Sequence, residues 1–177
     1  MAQKSALFFC SSYPDVDPKY KQAARDVVCA ACRKGYAIVS GGGARGLMKE
    51  VVDAAHSCGA PDIGVLPRFM EGLQHADLTR LEWTDTMSQR KDLMRHLGAD
   101  LAVALPGGIG TLDELFETYT LAKLDKYHGK VVAFNCYGFY DGVKDLLDKL
   151  VQEKMLDSHT RGLLYFPRTV EEFEALL

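Results

Sequence analysis

The stretch LAVALPGGIGTLDE, residues 101–114, passes from an apolar run through a glycine cluster into residues typical of a helix. The aliphatic residues 101–105 predict a buried strand, and apolar spacings of three and four over 111–126 predict a helix. Thr111 and Glu114 match the T-x-x-E pattern of a capping box, which predicts that Thr111 is the N-cap of this helix. The stretch therefore predicts a strand–loop–helix unit of an α/β fold.

The same order of elements recurs along the chain. Strands are predicted at 7–10, 36–40, 63–66, 101–105 and 131–134, with a weaker candidate at 81–84, and helices at 18–34, 45–58, 86–97, 111–126 and 139–154. Strands that alternate with helices predict a parallel β-sheet covered by helices on both faces. We therefore expect a Rossmann-like α/β fold. Since 177 residues correspond to about one domain at roughly 150 residues each, we expect a single domain over residues 1–177.

The composition argues against several classes of protein. Lys and Arg total 21 against 24 Asp and Glu, a net charge of −3, so the chain lacks the basic excess expected of a nucleic-acid-binding protein. No apolar run approaches the roughly 18 residues needed to cross a bilayer, which predicts no membrane segment. Residues 1–10 carry one positive charge and an apolar run too short for a signal peptide, so we expect a cytoplasmic protein.

The chain has five cysteines, at positions 10, 29, 32, 58 and 136. An odd number without an export signal predicts reduced thiols. Cys29 and Cys32 form a C-x-x-C pattern that, with His56 and Cys58, is compatible with a redox or zinc site. On a helix over 18–34, however, the pair shares the apolar face, which favours small buried hydrophobic residues. The sequence therefore predicts no metal site.

Seven of the 16 glycines lie in two clusters, 41–46 and 107–110, each after a predicted strand and before a predicted helix. The first contains G-x-G-x-x-G, but it follows the second strand and no acidic residue ends the next one, which disfavours a conventional dinucleotide site. The absence of G-x-x-x-x-G-K-[ST] excludes a P-loop nucleotide triphosphatase. The backbone of Gly42 and Gly43 could approach an anion at a helix N-terminus, with Arg45 adding charge. The alternative is that these glycines only permit tight turns.

A positive charge stands on the apolar side of the predicted helix 86–97, because Arg90 shares one stripe with Met87, Met94 and Leu97. An unpaired buried charge is very costly, so Arg90 needs an anionic partner. Guanidinium suits bidentate binding of a carboxylate or phosphate. The alternative is a structural salt bridge to Asp85 or Glu117. Lys91 is less informative, because its long side chain can reach solvent along the surface.

Together these segments resemble the Lonely Guy (LOG) family of cytokinin-activating phosphoribohydrolases, some of whose bacterial relatives are labelled lysine decarboxylase. The resemblance covers nearly the whole chain. It is carried by FCSS at 9–12, GGG and GLM within 41–48, GVLP at 64–67, MSQRK at 87–91 and PGGIGTLDE at 106–114. The last two segments match the family patterns M-x-x-R-K and P-G-G-x-G-T-x-x-E.

The resemblance implies a Rossmann-like homodimer that hydrolyses the N-glycosidic bond of a nucleoside 5′-monophosphate without a metal or redox cofactor. The products would be the free base and ribose 5-phosphate. By the motif match, Arg90 and Glu114 would be the catalytic pair. The residues expected to contact the nucleotide are Gly42, Gly43, Lys91, Pro106, Gly107, Gly108, Ile109, Gly110, Thr111, Leu112, Asp113 and Thr120, with Glu71 as a further contact. The expected partner is thus this nucleotide, with no nucleic acid and no membrane.

The sequence departs from the family pattern around the expected site. Ser11 directly follows Cys10 where the family reads C-G-S-S, Lys49 replaces the last glycine of G-L-M-G, and Leu121 and Lys123 replace residues of T-W-A-Q-L-G. These changes leave the base preference open. The alternatives are an AMP-type nucleosidase without cytokinin preference and a non-catalytic nucleotide-binding protein. Lysine decarboxylation would need a lysine that holds pyridoxal phosphate, which no motif indicates.

Overall fold

The strands and helices of the protein alternate along the chain, as the sequence predicts. A computed structural model describes residues 3–177, and the first two residues of the predicted domain lie outside this range. The strands are β1 Ser5–Phe9, β2 Ala37–Ser40, β3 Asp62–Pro67, β4 Arg80–Thr84, β5 Leu101–Ala104, β6 Lys130–Ala133 and β7 Leu164–Tyr165. The α-helices are α1 Pro18–Arg33, α2 Gly46–Ser57, α3 Met87–Leu97, α4 Ile109–Lys123, α5 Asp141–Gln152, α6 Ser158–Arg161 and α7 Val170–Glu174.

The strands form one sheet in the order β4-β3-β2-β1-β5-β6-β7, and all neighbours are parallel. In the middle of the sheet Leu7 of β1 pairs with Val39 of β2 on one side and with Ala102 of β5 on the other. The chain builds outward from β1 to β4 and then returns to β5, so the order of strands reverses beside β1. Ligands of open α/β sheets bind outside the carboxyl ends of the strands at such a switch point.

Helices cover both faces of the sheet, and β1 contributes alternate residues to the two cores. Ala6 and Phe8 pack with side chains of α1, α2 and α7, whereas Leu7 and Phe9 pack with those of α3, α4 and α5. This alternation follows from the two-residue period of a strand, and it explains why β1 is apolar throughout. The predicted Rossmann-like α/β fold is confirmed.

The predicted elements are all present with small changes in their bounds, and the weaker candidate at 81–84 is β4. The start points differ by at most two residues, and the difference that matters for the site is at α4, which begins at Ile109 rather than at residue 111. The segment after α5 carries β7 and two short helices that the sequence did not predict, because elements of two to five residues are too short to show a period. Within residues 3–177, no helix is long and apolar enough to span a membrane.

Candidate active site

Ser11, shortly after β1, forms backbone hydrogen bonds to residues beside both glycine clusters. The amide of Ser11 donates a hydrogen bond to the carbonyl oxygen of Pro106 (3.2 Å), and the Ser11 carbonyl accepts one from the amide of Leu47 in the first turn of α2 (2.9 Å). The first cluster follows β2 and the second follows β5, which are the two neighbours of β1. The clusters therefore lie beside each other at the switch point of the sheet.

Arg90 lies beneath these loops and is only 5% exposed. Its Nε donates a hydrogen bond to the carbonyl oxygen of Val65 at 2.8 Å, and its Nη1 donates one to Glu114 Oε1 at 3.1 Å. The sequence predicted an anionic partner for this side chain, and Glu114 is that partner. The alternative partners have other bonds, since Asp85 pairs with Arg68 and Glu117 pairs with Lys91.

Glu114 projects from the second turn of α4 and is as buried as Arg90. Burial raises the pKa of its carboxyl to about 7; the positive charge of Arg90 acts against this shift, and the neighbouring Asp113 adds to it. Within residues 3–177, the protein bonds only Oε1 of this carboxylate, which leaves Oε2 open to a ligand. A buried carboxyl that titrates near neutral pH is suited to proton transfer.

The predicted capping box of α4 is wrong. The N-cap is Gly108 and no side chain caps the helix, so Thr111 lies inside the first turn and Glu114 is not bonded to a backbone N–H there. Thr111 is buried against Gly107, where an added Cβ would lie 2.0 Å from its Oγ1. Glu114 is therefore free to pair with Arg90. The first turn of α4, without a side-chain cap, leaves its N–H groups to an anion.

Comparison with known proteins identifies the family. Residues 48–176 match the family described as "Possible lysine decarboxylase". The chain is 32% identical to a cytokinin riboside 5′-monophosphate phosphoribohydrolase of Rhodococcoides fascians, over 95% of this chain and 86% of that protein. It is 33% identical to the corresponding enzyme LOG4 of Arabidopsis thaliana, over 93% of this chain and 77% of that protein. The chain belongs to the Lonely Guy family.

Solved structures resemble the fold of this LOG protein. The Moco carrier protein of Chlamydomonas reinhardtii matches with a TM-score of 0.72 and 20% identity, over 98% of this chain and 94% of that one. The molybdenum cofactor binding protein of Rippkaea orientalis matches with a TM-score of 0.68 and 16% identity, over 97% and 94% of the two chains. At these identities the likeness shows the fold alone.

The rim of the site holds a cluster of charges that the motifs only partly indicated. Lys91 Nζ lies 2.9 Å from Asp113 Oδ2 and 2.8 Å from Glu117 Oε2, and both carboxylates raise the pKa of this amine. Arg95, which is buried, approaches the same Glu117 oxygen with Nη1 at 3.0 Å. The motifs did not indicate Arg95, and the sequence indicated Glu117 only as an alternative partner of Arg90. The side chain of Lys91 in α3 is thus held against α4.

Thr120 and Glu114 lie on different faces of α4, because six residues turn a helix by about 240°. Thr120 is exposed and its hydroxyl donates to the carbonyl oxygen of Phe116 (2.7 Å). Within one copy of the chain, the structure does not bring Thr120 to Glu114. Its face of α4 borders an open groove of about 560 Å³, whose walls are Lys91, Ile109, Leu112, Asp113, Phe116, Glu117, Thr120 and Leu121.

The remaining residues that the LOG motifs point to lie on the two loops and beside them. Glu71 is exposed and follows the 3-10 helix Arg68–Met70, which comes directly after β3. Lys49, which replaces a family glycine, points along the surface of α2 to Asp53, four residues later, instead of into the site. The exposure of the loop residues differs. Gly42 and Pro106 are buried, Gly43, Gly107 and Leu112 are half-buried, and Gly108, Ile109, Gly110 and Asp113 are exposed.

Cys10, at the end of β1, is a buried neighbour of the Arg90–Glu114 pair that the motifs did not indicate. Burial and the negative charge of Glu114 raise the pKa of the Cys10 thiol, and Arg90 acts in the opposite direction. The thiol is therefore neutral at physiological pH. A neutral and weakly polar group beside Glu114 gives its carboxylate little solvation, in keeping with the raised pKa of Glu114.

The first glycine cluster leaves space for the side chain of Arg90. A Cβ added at Gly41 would lie 2.3 Å from Arg90 Nη2, and Gly42 has φ +66° with its added Cβ 2.7 Å from Gly64 Cα. Gly41 has no positive φ, so the missing side chain at this position serves the close approach of the guanidinium and of Met48. The first cluster therefore contributes to the position of Arg90 as well as to the turn.

Replacing Gly41 with alanine should displace the guanidinium of Arg90, which its bonds to Val65 and Glu114 hold in place. We expect kcat/KM to fall by about 10- to 100-fold, because small misplacements of catalytic groups cost rates of this order. The matched control is Gly142→Ala, since a Cβ at Gly142 would meet nothing within 4 Å. Steady-state kinetics of both variants, with far-UV circular dichroism to establish folding, make the comparison. Equal activity of the two variants would contradict the role of Gly41.

Proposed function

We propose that this LOG protein hydrolyses the N-glycosidic bond of cytokinin riboside 5′-monophosphate and releases the free base and ribose 5-phosphate. The observation that carries the proposal is the buried Arg90–Glu114 pair, which lies between two glycine loops at the switch point of the sheet. Relatives 32% and 33% identical over most of the chain are named for this activity. Other residues of the chain supply the parts that such a reaction needs.

The 5′-phosphate is assigned to the glycine loops. Both loops open a helix, α2 at Gly46 and α4 at Ile109, and a helix N-terminus offers N–H donors and the positive end of a dipole. The residues proposed to line this part of the site are Gly42, Gly43, Pro106, Gly107, Gly108, Ile109, Gly110 and Thr111. Lys91 adds a cation at the rim, and we assign Leu112, Asp113, Thr120 and Glu71 to the outer contacts of the nucleotide.

Glu114 and Arg90 are assigned to the reaction centre. As the bond between C1′ and the base nitrogen breaks, its electron pair leaves with the base and the ribosyl ring gains oxocarbenium character. The Glu114 carboxylate stabilises this charge and takes a proton from the water that adds to C1′; this proton then passes to the base nitrogen, so that a neutral base leaves and the carboxylate is regenerated. Arg90 orients the nucleotide and holds Glu114 through Oε1. The chemistry needs water and the substrate, with no redox step.

A substrate panel tests the function. Purified protein is incubated with isopentenyl-AMP and with AMP, and free base and ribose 5-phosphate are quantified by chromatography. A higher kcat/KM for isopentenyl-AMP supports the proposal, whereas a preference for AMP indicates an AMP-type nucleosidase. Binding of either nucleotide by calorimetry without release of base would indicate a non-catalytic binding protein. Release of cadaverine from lysine in the presence of pyridoxal phosphate would overturn the proposal altogether.

The pH dependence of the reaction should report Glu114. We expect kcat/KM to fall about tenfold per pH unit between about pH 7 and pH 6, because the ionised carboxylate is the active form and its pKa is about 7 instead of the ordinary 4.5. Below about pH 6 the fall should be steeper, because the substrate phosphate also takes up a proton. The second pKa of a substrate phosphate lies near 6. The residual activity of Glu114→Gln should therefore decline only below about pH 6, where the substrate phosphate takes up a proton. If the decline in wild-type kcat/KM that depends on Glu114 began only below about pH 5, this result would contradict the shifted pKa of Glu114.

We also propose that the protein is a homodimer, as the family resemblance implies. Ile109 is 83% exposed and lies beside the half-buried Leu112, Phe116 and Leu121, so that α4 presents apolar surface at the groove described above. Light scattering after gel filtration should give twice the 19.6 kDa of one chain. Ile109→Asp should lower the measured mass towards that of a monomer, because it buries a charge in the contact. A wild-type monomer at micromolar concentration would refute the proposal.

A further inference from the structure

Three cysteines lie together at the edge of the sheet opposite the candidate active site. Cys29 and Cys32 belong to the second half of α1, and Cys58 directly follows α2. Both helices end at the side of the sheet where the next strands begin. The Sγ atoms of Cys29 and Cys58 are 2.7 Å apart. Cys10 and Cys136, by contrast, are buried elsewhere in the core. The packing of α1 against α2 thus brings the thiol of Cys29 into contact with the thiol of Cys58.

The surroundings of these thiols differ from the sequence prediction of small buried hydrophobic residues. Cys58 is exposed, and Cys29 and Cys32 are half-buried residues of α1 that pack against the core. The predicted burial holds only in part for the pair, because both side chains pack against the core but stay partly exposed. Within residues 3–177, no group of His, Cys, Asp and Glu has a geometry that could hold a metal ion. The contact between the Cys29 and Cys58 sulfurs favours sulfur–sulfur chemistry.

We propose that Cys58 and Cys29 are a redox-active thiol pair, which a peroxide oxidises to a disulfide that links α1 to α2. In the first step the Cys58 thiol reacts with hydrogen peroxide to give a sulfenic acid and one water. In the second step the Cys29 sulfur attacks the Cys58 sulfur, the S–O bond breaks, and a second water leaves. The two thiols lose two electrons and two protons in total, and the peroxide is reduced to two waters.

The order of the two steps follows from exposure. Burial and the neighbouring Cys58 raise the pKa of the Cys29 thiol to about 11, and burial raises that of Cys32 to about 12. Both thiols are therefore protonated at neutral pH, and protonated thiols react slowly with peroxides. Cys58 is the thiol that solvent reaches, so its sulfur meets the oxidant first. Cys29 then reacts because it is already in contact with the Cys58 sulfur.

The disulfide should stabilise the fold without changing the chemistry of the site. The bond closes a loop from residue 29 to residue 58, which contains β2 and α2, and therefore restricts the unfolded chain. Arg90 and Glu114 contact neither helix end. We expect the oxidised protein to melt about 5–10 °C higher than the reduced protein, with kcat/KM for the nucleotide within about twofold of the reduced form.

The test treats the reduced full-length protein with one equivalent of hydrogen peroxide and counts free thiols in denaturant. Five thiols should become three, and dithiothreitol should restore all five. A tryptic digest should contain peptide 26–33 linked to peptide 50–68, because these are the segments that carry Cys29 and Cys58. The melting temperature and activity of the same samples are then compared.

Single variants identify the partners. Cys58→Ser should keep its four remaining thiols, and Cys29→Ser should fall from four to three because Cys58 stops at the sulfenic acid, whereas Cys32→Ser and the control Cys136→Ser should each fall from four to two. Three results would overturn the proposal. They are five thiols after peroxide, a sulfinic acid at Cys58 without a linked peptide, and a linked peptide that survives in Cys29→Ser.

Discussion

Glu114→Gln is expected to lower kcat for base release by about 100-fold or more, the range typical of losing a general acid or base. Glutamine keeps an oxygen that can accept the hydrogen bond from Arg90, so the buried contact remains while the charge and the titrating group are lost. The Kd of the nucleotide should change by less than about threefold, because the removed interaction acts in the transition state. Single-turnover kinetics and calorimetry measure the two quantities separately.

The matched control for this variant is Glu50→Gln. Glu50 also pairs with an arginine, Arg25 at 2.5 Å, and its side chain is only 14% exposed, but this pair joins α1 to α2 and is separate from the Arg90–Glu114 pair. This control should retain full kcat. If Glu114→Gln kept most of its turnover, or lost no more than Glu50→Gln, then Glu114 would not act on the reacting bond.

The parts of the fold that the sequence predicts well are those with a long or distinctive period. The apolar runs around Leu7 and Val103 are flanked by helical segments of more than ten residues, and burial between two layers of helices requires such runs. The carboxyl-edge position of both glycine clusters then follows from the alternation of strands and helices alone. The motif match also identified Arg90 and Glu114, which the structure finds bonded to each other.

What the sequence could not predict depends on contacts between distant segments. The T-x-x-E pattern at Thr111 predicts a local capping box, but in the structure the buried guanidinium of Arg90 binds the Glu114 carboxylate instead. The charge-assisted contact of Glu114 with Arg90 of α3 is the stronger one, and no pattern within α4 predicts it. Local capping does occur one helix earlier, where Thr86 and Gln89 form a capping box on an exposed helix end with no such competitor. The contact between Cys29 and Cys58 likewise depends on how α1 packs against α2.

The second large effect is expected from Arg90→Met, which should abolish measurable turnover and destabilise the protein by about 3 kcal/mol. Methionine fills much of the space but leaves the Glu114 carboxyl buried without its cation. Because Arg90 holds the pKa of Glu114 down against burial, this pKa should rise further above 7 in the variant. Glu114 would then be protonated at neutral pH and unable to act as a base.

Adding Glu114→Leu to Arg90→Met separates catalysis from stability. Replacing a buried ion pair by apolar side chains of similar volume is often neutral or stabilising, whereas removing one partner is costly. The double variant should therefore recover most of the lost free energy of unfolding in urea, while its activity stays undetectable. Such a result would mean that the pair is maintained for the reaction, since the fold does as well without it. A double variant as unstable as Arg90→Met would instead show that the guanidinium supports the fold through Val65 and the first glycine loop.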